Sequence, residues 1–578
     1  MNGTFAWKQK QQSIKRHLPL FFLLLGVGIF HVITMPSFYY MGDNFVPRAE
    51  CANLINTRQM GIDYSKKNEL FDLAEERGRY FYENDKKQRL YSKYGIGYTL
   101  LYMVPLWAEK RHSGKLDLLC NTPSQLAFLN IYNVLFTLLS TVYFYQIVSL
   151  YTSKSWQKIT FILVSYYTTF LWHYLRSPTL EVYQLLPFLG FYYHMACFLR
   201  KSRISLRRDA RIWKHLFMAV CFVGILLSLK LFFGLLFIVI GVLATTVPGW
   251  GSLRDAFKRA FRNLSEFKRQ YLLYLILPSF LFIFFVLAVN HCKFGSIFQT
   301  GYGQWLPGAS KTPATGAGTE KMRAPDAPES ENHEKGGGTA QTHDTKPEGN
   351  SPYEGDRFGT NPLAALRGFF LAKGNTNAFV HYPLFFFALF GMRRFAKKFP
   401  VDSCLILFLF GLITLGVASF SGWKGEWCYG PRHLLLVLVI GSLPFLEVMD
   451  RAGSFKPLLK CCAVGVVACV LGWSLVMQVY MNSLSYFAFY VLRAPWTQFK
   501  QEKVDAYFNN TFHRGLIHRD FIRYIRKGKP YFPLETVKST LSPPDRDRLS
   551  RLTERRHIAW MAKPNYYFCQ TKKGLDSR

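Results

Sequence analysis

Asp43 is the carboxylate that the sequence places best for proton transfer. It stands in the tetrapeptide MGDN, residues 41–44, a few residues beyond the first long apolar run. A carboxylate at the rim of a membrane can act as a general base that takes the proton of a hydroxyl group. A solvated loop acid is the alternative, and the residue type alone leaves both open.

Two lysines have the charge to hold a phosphate group. Lys93 stands in YSKYGIG, residues 91–97, two positions after Tyr91 and two before a glycine. Lys230 stands between two leucines in a long apolar run, where an ammonium group needs a partner or a path to water. Binding of a lipid phosphate would use both charges. Anchoring at the interface, or snorkelling to the outer surface, would explain the same residues.

Two further segments between apolar runs combine a cation with an acid, and the second also contains aromatic rings. Residues 176–181, RSPTLE, form a short connection, so Arg176 and Glu181 stay at the membrane face and either bind a ligand or pair with each other. Residues 423–432, WKGEWCYGPR, hold more charge than an aromatic belt requires. The candidate ligand-binding residues of this segment are Trp423, Lys424, Glu426, Tyr429 and Arg432.

The composition indicates a membrane protein. Half of the 578 residues are hydrophobic, 17% are aromatic, and the mean hydropathy is +0.05 although 19% of the residues are charged. The apolar residues fall in long runs, which is a membrane signature. A net charge of +35 could indicate nucleic-acid binding. Many of the basic residues form short clusters between the apolar runs, however, and membrane topology accounts for them without a nucleic acid.

The length of the apolar runs predicts an all-α polytopic fold with about 11 transmembrane helices. One run, 216–247, is too long for a single crossing, and both of its flanks are rich in Lys and Arg. We therefore expect it to cross twice, with a turn near residues 228–234. The other predicted spans lie near residues 18–38, 122–150, 158–174, 182–199, 271–290, 377–392, 402–420, 433–449 and 460–482.

The basic clusters also predict the orientation of the chain, with the N-terminus inside and the C-terminus outside. Residues 1–482 then form the membrane domain. The first outer loop, 39–121, contains a short apolar stretch that is expected to lie along the interface. Residues 308–352, in another outer loop, have the composition of a disordered insertion. Residues 483–578 are predicted to form a basic extracytoplasmic cap.

Motifs of soluble enzymes do not occur in the sequence. A phosphate-cradling P-loop, a dinucleotide fingerprint and a His/Cys cluster at zinc spacing are all missing. We therefore predict no cofactor and no metal site, and leave open whether a divalent cation takes part. The topology predicted from the basic clusters places all five candidate segments on the outer side of the membrane, although none of their residues contributes to that prediction.

These segments resemble the bacterial GT-C superfamily of polytopic glycosyltransferases that use polyprenyl-phosphate-linked sugars, which includes protein mannosyltransferases and lipid A aminoarabinose transferases. The motifs are spread over residues 18–450. The resemblance rests on their order along the chain and on their predicted location on the same side of the membrane. The matching features are Gly42-Asp43, residues 91–97 leading to Pro105-Leu106, residues 176–181, Phe294-Gly295-Ser296, residues 300–303, His381-Tyr382-Pro383 and residues 423–432.

The resemblance implies an enzyme of the bacterial plasma membrane whose active site faces the periplasm or the outside. Asp43 would be the catalytic base and Lys93 a ligand of the lipid phosphate, with Arg176, Lys230 and Arg432 as further candidates. The acceptor would be a lipid, a glycan or a protein. Two features depart from the family. Members often have Asp-Glu where this chain has Asp-Asn, at residues 43–44, and the insertion at 308–352 is unusual.

Two other function classes remain open at this point. A transporter or lipid flippase would place polar groups near the bilayer midplane on broken helices, often in inverted repeats. The predicted spans contain few acids, and the candidate charges gather at one rim, which favours the enzyme. A non-catalytic scaffold with the same fold would not need Asp43.

Overall fold

The computed structural model describes residues 2–34, 45–66, 81–118, 123–176, 179–202, 210–247, 256–297, 361–371, 377–419, 430–454 and 456–483. Asp43 lies outside these described residues. So do Trp423, Lys424, Glu426 and Tyr429, the insertion 308–352 and residues 484–578. The predictions made for these parts of the chain therefore stay predictions.

Most of the described chain is helical. The helices of the first half are α1 (Asn2–Thr34), α2 (Phe45–Thr57), α3 (Ile96–Ser113), α4 (Pro123–Ser149), α5 (Ser155–Tyr167), α6 (Leu171–Leu175), α7 (Leu180–Ser202), α8 (Ala210–Leu229) and α9 (Leu235–Thr246). Those of the second half are α10 (Ala256–Glu266), α11 (Lys268–Phe294), α12 (Pro362–Phe370), α13 (Ala378–His381), α14 (Pro383–Lys398), α15 (Pro400–Ala418), α16 (Leu435–Gly441), α17 (Phe445–Ala452) and α18 (Pro457–Ser483).

Within the described residues, six helices are long and apolar enough to cross a membrane, and there are seven if the bent pair α16–α17 forms one span. These segments agree with the predicted helical membrane fold. The predicted count of about 11 and the orientation of the termini stay predictions. The qualifying segments are His17–Thr34, Ala127–Ser149, Arg211–Leu229, Lys268–Phe294, Pro400–Ala418 and Pro457–Val479.

The long apolar run 216–247 is interrupted within the predicted turn region. Helix α8 ends at Leu229, Lys230 has an extended backbone with φ −141° and ψ 126°, and a short 3-10 turn, Leu231–Gly234, leads into α9. This interruption places the charged residue of the run where the backbone leaves the helix. Helix α9 is shorter than the six spans, so the second crossing stays a prediction.

The first outer loop contains a small sheet that the all-α prediction did not include. Its strands are β1 (Ile62–Asp63), β2 (Phe81–Asn84) and β3 (Arg89–Ser92), in the order β1-β3-β2 with antiparallel pairing. Strands of two to four residues are too short to show an alternating hydrophobic pattern, so periodicity could not predict them. The sheet lies directly before α3, which is the predicted short apolar helix of this loop.

A buried polar network joins the N-terminal and C-terminal helices at the end that we predict to be cytoplasmic. Both carboxylate oxygens of Asp402 accept from the Arg200 Nε at 3.0 Å, and the Tyr151 hydroxyl donates to one of them at 3.0 Å. The Tyr151 and Tyr192 hydroxyls are 2.6 Å apart. Asp402 is 2% exposed, so its charge depends on these partners rather than on water.

Replacement of Asp402 by Asn should destabilise the protein more than the same change at Asp450. Asp402→Asn leaves the largely buried Arg200 without its counter-charge, which costs about 3 kcal/mol. Asp450 pairs with Lys154 at 2.6 Å in an exposed position, where an ion pair contributes about 0.5 kcal/mol. Thermal unfolding of the purified variants measures both effects. Equal unfolding temperatures for the two variants would contradict the structural role of the network.

Candidate functional site

Helix α2, which begins two residues after Asp43, carries a buried carboxylate at Glu50. The two Glu50 oxygens accept from the backbone N–H of Ser92 at 3.2 Å and from the Thr99 hydroxyl at 2.8 Å. Ser92 ends β3 and Thr99 lies in the first turn of α3. Glu50 therefore fixes α2 to segment 91–97 and to the first turn of α3. This arrangement gives Glu50 a structural role and leaves Asp43 as the candidate base.

The partner of Glu50 is Lys293, from the end of the apolar helix α11. The Lys293 ammonium group donates to Glu50 Oε2 at 3.1 Å and to the Tyr94 carbonyl oxygen at 3.5 Å. The side chains of Lys293 and Glu50 are 1% and 0% exposed. An ion pair that is fully removed from water is tolerated only when further hydrogen bonds satisfy both groups, as they do here.

The hairpin of β2 and β3 holds the end of α11 from the other side. Asn84 Nδ2 donates to the Lys293 carbonyl at 3.1 Å, and the Tyr82 hydroxyl donates to the Phe294 carbonyl at 3.3 Å. The helix ends at Gly295, whose φ of +82° is in the left-handed region that favours glycine. The β2–β3 hairpin and the end of α11 are thereby joined through the backbone carbonyl groups of α11.

Segment 91–97 packs against the helix break at Lys230. A Cβ atom at Gly95 would overlap the carbonyl oxygens of Ser228 and Leu229, and one at Gly97 would overlap the Ser228 hydroxyl. Only glycine lets the two backbones approach this closely. Two of the five predicted segments are therefore neighbours in space, and both carry a lysine. Lys93 is 8% exposed, so its charge lies in a largely dry environment.

Tyr91 occupies a more enclosed position than a binding role at the surface would suggest. It is 4% exposed and lies in a cluster with Tyr82, Phe294 and Met60. Burial raises the pKa of the Tyr91 phenol above its ordinary value, so the group stays protonated at neutral pH. A role for Tyr91 in substrate binding stays a prediction.

Segment 176–181 joins the same assembly through α7. Gln184, one turn after Glu181, donates from Nε2 to the Tyr98 hydroxyl on α3 at 2.6 Å. The carbonyl of Leu175 accepts from Asn133 Nδ2 at 2.8 Å, which holds the end of α6. Arg176 follows and is 5% exposed.

Glu181 forms an ion pair with Arg432, the last residue of segment 423–432. Arg432 Nη1 and Glu181 Oε1 are 3.7 Å apart, and the two side chains are 17% and 11% exposed. The sequence left open a pairing of Glu181 with Arg176, and the structure gives Glu181 this partner from a distant part of the chain. Gly430, with φ +69°, packs against Phe170, whose N–H donates to the His381 carbonyl at 3.0 Å.

The described portions of four candidate segments thus form one connected assembly. Gly95 and Gly97 pack segment 91–97 against the end of α8 next to Lys230, Gln184 joins α3 to the helix of Glu181, and Glu181 joins Arg432. Lys293 was not among the predicted site residues, although a lysine at the end of an apolar run, followed by Phe-Gly-Ser, was a signal for it. Within the described ranges, no group of three or more His, Cys, Asp or Glu side chains is arranged to hold a metal ion.

Comparisons with known proteins give only distant structural likenesses. No family model matches the sequence, and no curated protein matches it either. The chain is similar to the oligosaccharyltransferase of Archaeoglobus fulgidus in its apo form, with a TM-score of 0.47 and 11% identity. It is also similar to the archaeal oligosaccharyltransferase AglB from Archaeoglobus fulgidus in complex with an inhibitory peptide and a dolichol-phosphate, with a TM-score of 0.44 and 11% identity.

Both matches cover 86% of this chain and 60% of the oligosaccharyltransferase chain. The chain therefore spans less than two thirds of the length of these neighbours. A likeness at this level establishes neither a family nor an activity.

The ion pair between Glu50 and Lys293 should behave as a unit when it is mutated. Glu50→Gln leaves the Lys293 charge buried without a counter-charge, which costs about 3 kcal/mol of unfolding free energy. The double variant Glu50→Gln/Lys293→Met removes both charges and should recover most of this loss, because Gln still offers an acceptor to Thr99. Thermal unfolding of the wild type, the two single variants and the double variant measures the coupling. A double variant no more stable than Glu50→Gln would contradict the pairing.

Proposed function

We propose that the chain is an integral membrane glycosyltransferase that moves a sugar from a polyprenyl-phosphate donor to an acceptor hydroxyl on the extracytoplasmic face. The observation that carries the proposal is the assembly around α3. It connects the described portions of four of the segments that the sequence analysis predicts to bind the donor. The motifs that resemble the GT-C superfamily run through the same segments.

The donor phosphate would bind where the helix break at Lys230 meets segment 91–97. Lys93 and Lys230 supply ammonium groups from two adjoining backbone segments, and Arg176 and Arg432 supply guanidinium groups from segments joined to the same assembly. Charge-assisted hydrogen bonds to phosphate are strong in such partly dry surroundings. The described part of the site is thus rich in the groups that a lipid phosphate requires.

The reaction would be a displacement with inversion at the anomeric carbon. The Asp43 carboxylate takes the proton of the acceptor hydroxyl, whose oxygen attacks the anomeric carbon. The bond between that carbon and the phosphate oxygen breaks, and its electron pair leaves with the polyprenyl phosphate. The cations of the site bind the phosphate both before and after this bond breaks. No cofactor is required for this balance.

The cellular setting of the proposal follows from the distribution of basic residues. The positive-inside rule would put the candidate residues on the outer side, and the resemblance would put the protein in a bacterial plasma membrane. The donor would then be a lipid whose sugar faces the periplasm or the outside. The acceptor class, whether lipid, glycan or protein, depends on the shape of the pocket that receives it.

Asp43→Asn should lower sugar transfer at least roughly a hundredfold, because general-base catalysis contributes about 10² to 10⁴ in rate. The change is nearly isosteric, so insertion, expression and donor binding should be preserved. The matched control is Asp85→Asn, an exposed acid of the same outer loop that accepts from the Tyr64 hydroxyl. The measurement is transfer from a polyprenyl-phosphate-sugar donor by the purified proteins.

Near-wild-type transfer by Asp43→Asn would reject Asp43 as the base. An equal loss in Asp85→Asn would show that the assay reports a general defect of the loop. If the wild-type protein transfers no sugar but moves a lipid or solute across liposomes, the transporter class replaces the enzyme. A protein with neither activity would fit the scaffold class.

Lys93→Ala and Lys230→Ala should each raise the KM for the lipid donor about tenfold or more while lowering kcat less. Each replacement removes a charged hydrogen-bond donor worth about 1.5–3 kcal/mol, and contacts present equally in the ground and transition states change mainly KM. Lys86→Ala, an exposed lysine on the hairpin turn, is the control. Steady-state kinetics at varied donor concentration tests this, and an unchanged KM in both variants would assign these lysines to anchoring.

A further inference from the structure

Helix α10 is fixed beside the end of α9 and the start of the apolar span α11. Asn263 of α10 donates from Nδ2 to the Thr245 carbonyl at 2.8 Å, near the end of α9. Tyr271, in the first turn of α11, donates from its hydroxyl to the Ala244 carbonyl at 2.7 Å. The apolar span α11 begins at Lys268, only two residues after α10 ends. These two hydrogen bonds hold α10 beside the point where the chain enters the membrane.

Aromatic rings pack together where α10 leads into the span α11. The Trp213 ring lies 5.8 Å from the ring of Phe267 and 5.1 Å from that of Tyr271, and it stacks on Tyr274 at 6.2 Å. Trp and Tyr concentrate at the headgroup level of membrane proteins. Because α10 directly precedes the apolar span α11, we expect it at the depth of the lipid headgroups.

The described side chains of α10 separate into an apolar and a basic surface. Phe261 is 74% exposed and Leu264 is 38% exposed, and their spacing of three places them on one face of the helix. Lys258 and Arg262 are exposed one turn apart on a neighbouring face. An exposed Phe beside basic side chains is typical of a helix that lies in the interfacial plane, with its apolar face toward the acyl chains.

Positive charge extends from α10 into the start of the span. Lys268 and Arg269 are exposed and follow Lys258 and Arg262 along the same end of the bundle. Glu266 is the single acid within residues 256–269. Long basic side chains at this level can keep their charge among the headgroups while their stems cover apolar surface.

We propose that α10 is an anionic-lipid binding helix. Phe261 and Leu264 enter the acyl region of the adjacent leaflet, and Lys258, Arg262 and Lys268 bind the phosphates of anionic phospholipids. The position of α10 at the membrane boundary selects a lipid surface over a protein or a nucleic acid as the partner. The positive-inside rule predicts that this leaflet is cytoplasmic, which is the leaflet that commonly carries anionic lipid. This site is independent of the proposed transferase chemistry.

The direct test is a phosphatidylglycerol titration of the delipidated full-length protein, followed by native mass spectrometry. Each basic residue near the surface contributes about 1 kcal/mol of attraction, so Lys258→Gln/Arg262→Gln should weaken phosphatidylglycerol binding roughly tenfold or more. Binding of phosphatidylcholine should change little. The control is Lys86→Gln/Lys115→Gln, which removes the same charge from exposed positions of the first outer loop. Equal weakening in both double variants would overturn the assignment.

Hydrogen exchange supplies a second measurement that does not depend on the folding of the charge variant. In wild-type protein, amides of residues 256–266 should exchange more slowly in nanodiscs that contain phosphatidylglycerol than in pure phosphatidylcholine nanodiscs. Added salt should reduce this protection, because headgroup attraction is screened. Phe261→Ser should lose the protection while retaining the exposed basic residues. Equal exchange in both lipids would show that α10 does not recognise anionic lipid.

Discussion

The buried ion pair between Glu50 and Lys293 is the interaction on which the candidate site depends. Two oppositely charged groups that are buried away from water stay ionised only if they pair with each other and their remaining donors and acceptors form hydrogen bonds. Glu50 meets Lys293, Ser92 and Thr99, and Lys293 also meets the Tyr94 carbonyl. These partners belong to α2, segment 91–97, α3 and α11. A shift of any one of them would leave a buried charge unsatisfied.

Close packing extends this constraint across the end of the helical bundle that we predict to face outward. Gly95 and Gly97 hold segment 91–97 against the carbonyl groups that end α8, so the extended backbone at Lys230 has a fixed neighbour. The bond from Gln184 to Tyr98 then places α7, and the pair of Glu181 with Arg432 reaches the C-terminal helices. Packed interiors transmit displacement because they contain little free volume. Basic residues that are far apart in the sequence are thereby held in one connected assembly.

Sequence reasoning recovered the features whose signals are local. Apolar run length predicted the helices, and the basic flanks of run 216–247 predicted an interruption that the structure places at Lys230. The sheet of the first outer loop was missed because strands of two to four residues carry no readable period. Lys293 was missed because it meets Glu50 across 243 residues of sequence. A single sequence gives the residue types of such a pair but not their proximity.

The central claim is that a lipid phosphate binds where the helix break meets segment 91–97. An experimental structure of the protein in nanodiscs with a bound polyprenyl phosphate tests it most directly. The account predicts the phosphate beside the backbone of Gly95 and Lys230, within hydrogen-bonding distance of the Lys93 or Lys230 ammonium group, with the isoprenoid chain directed into the bilayer. A phosphate bound at the opposite face of the membrane, or a headgroup lodged in a path through the helical bundle, would contradict it.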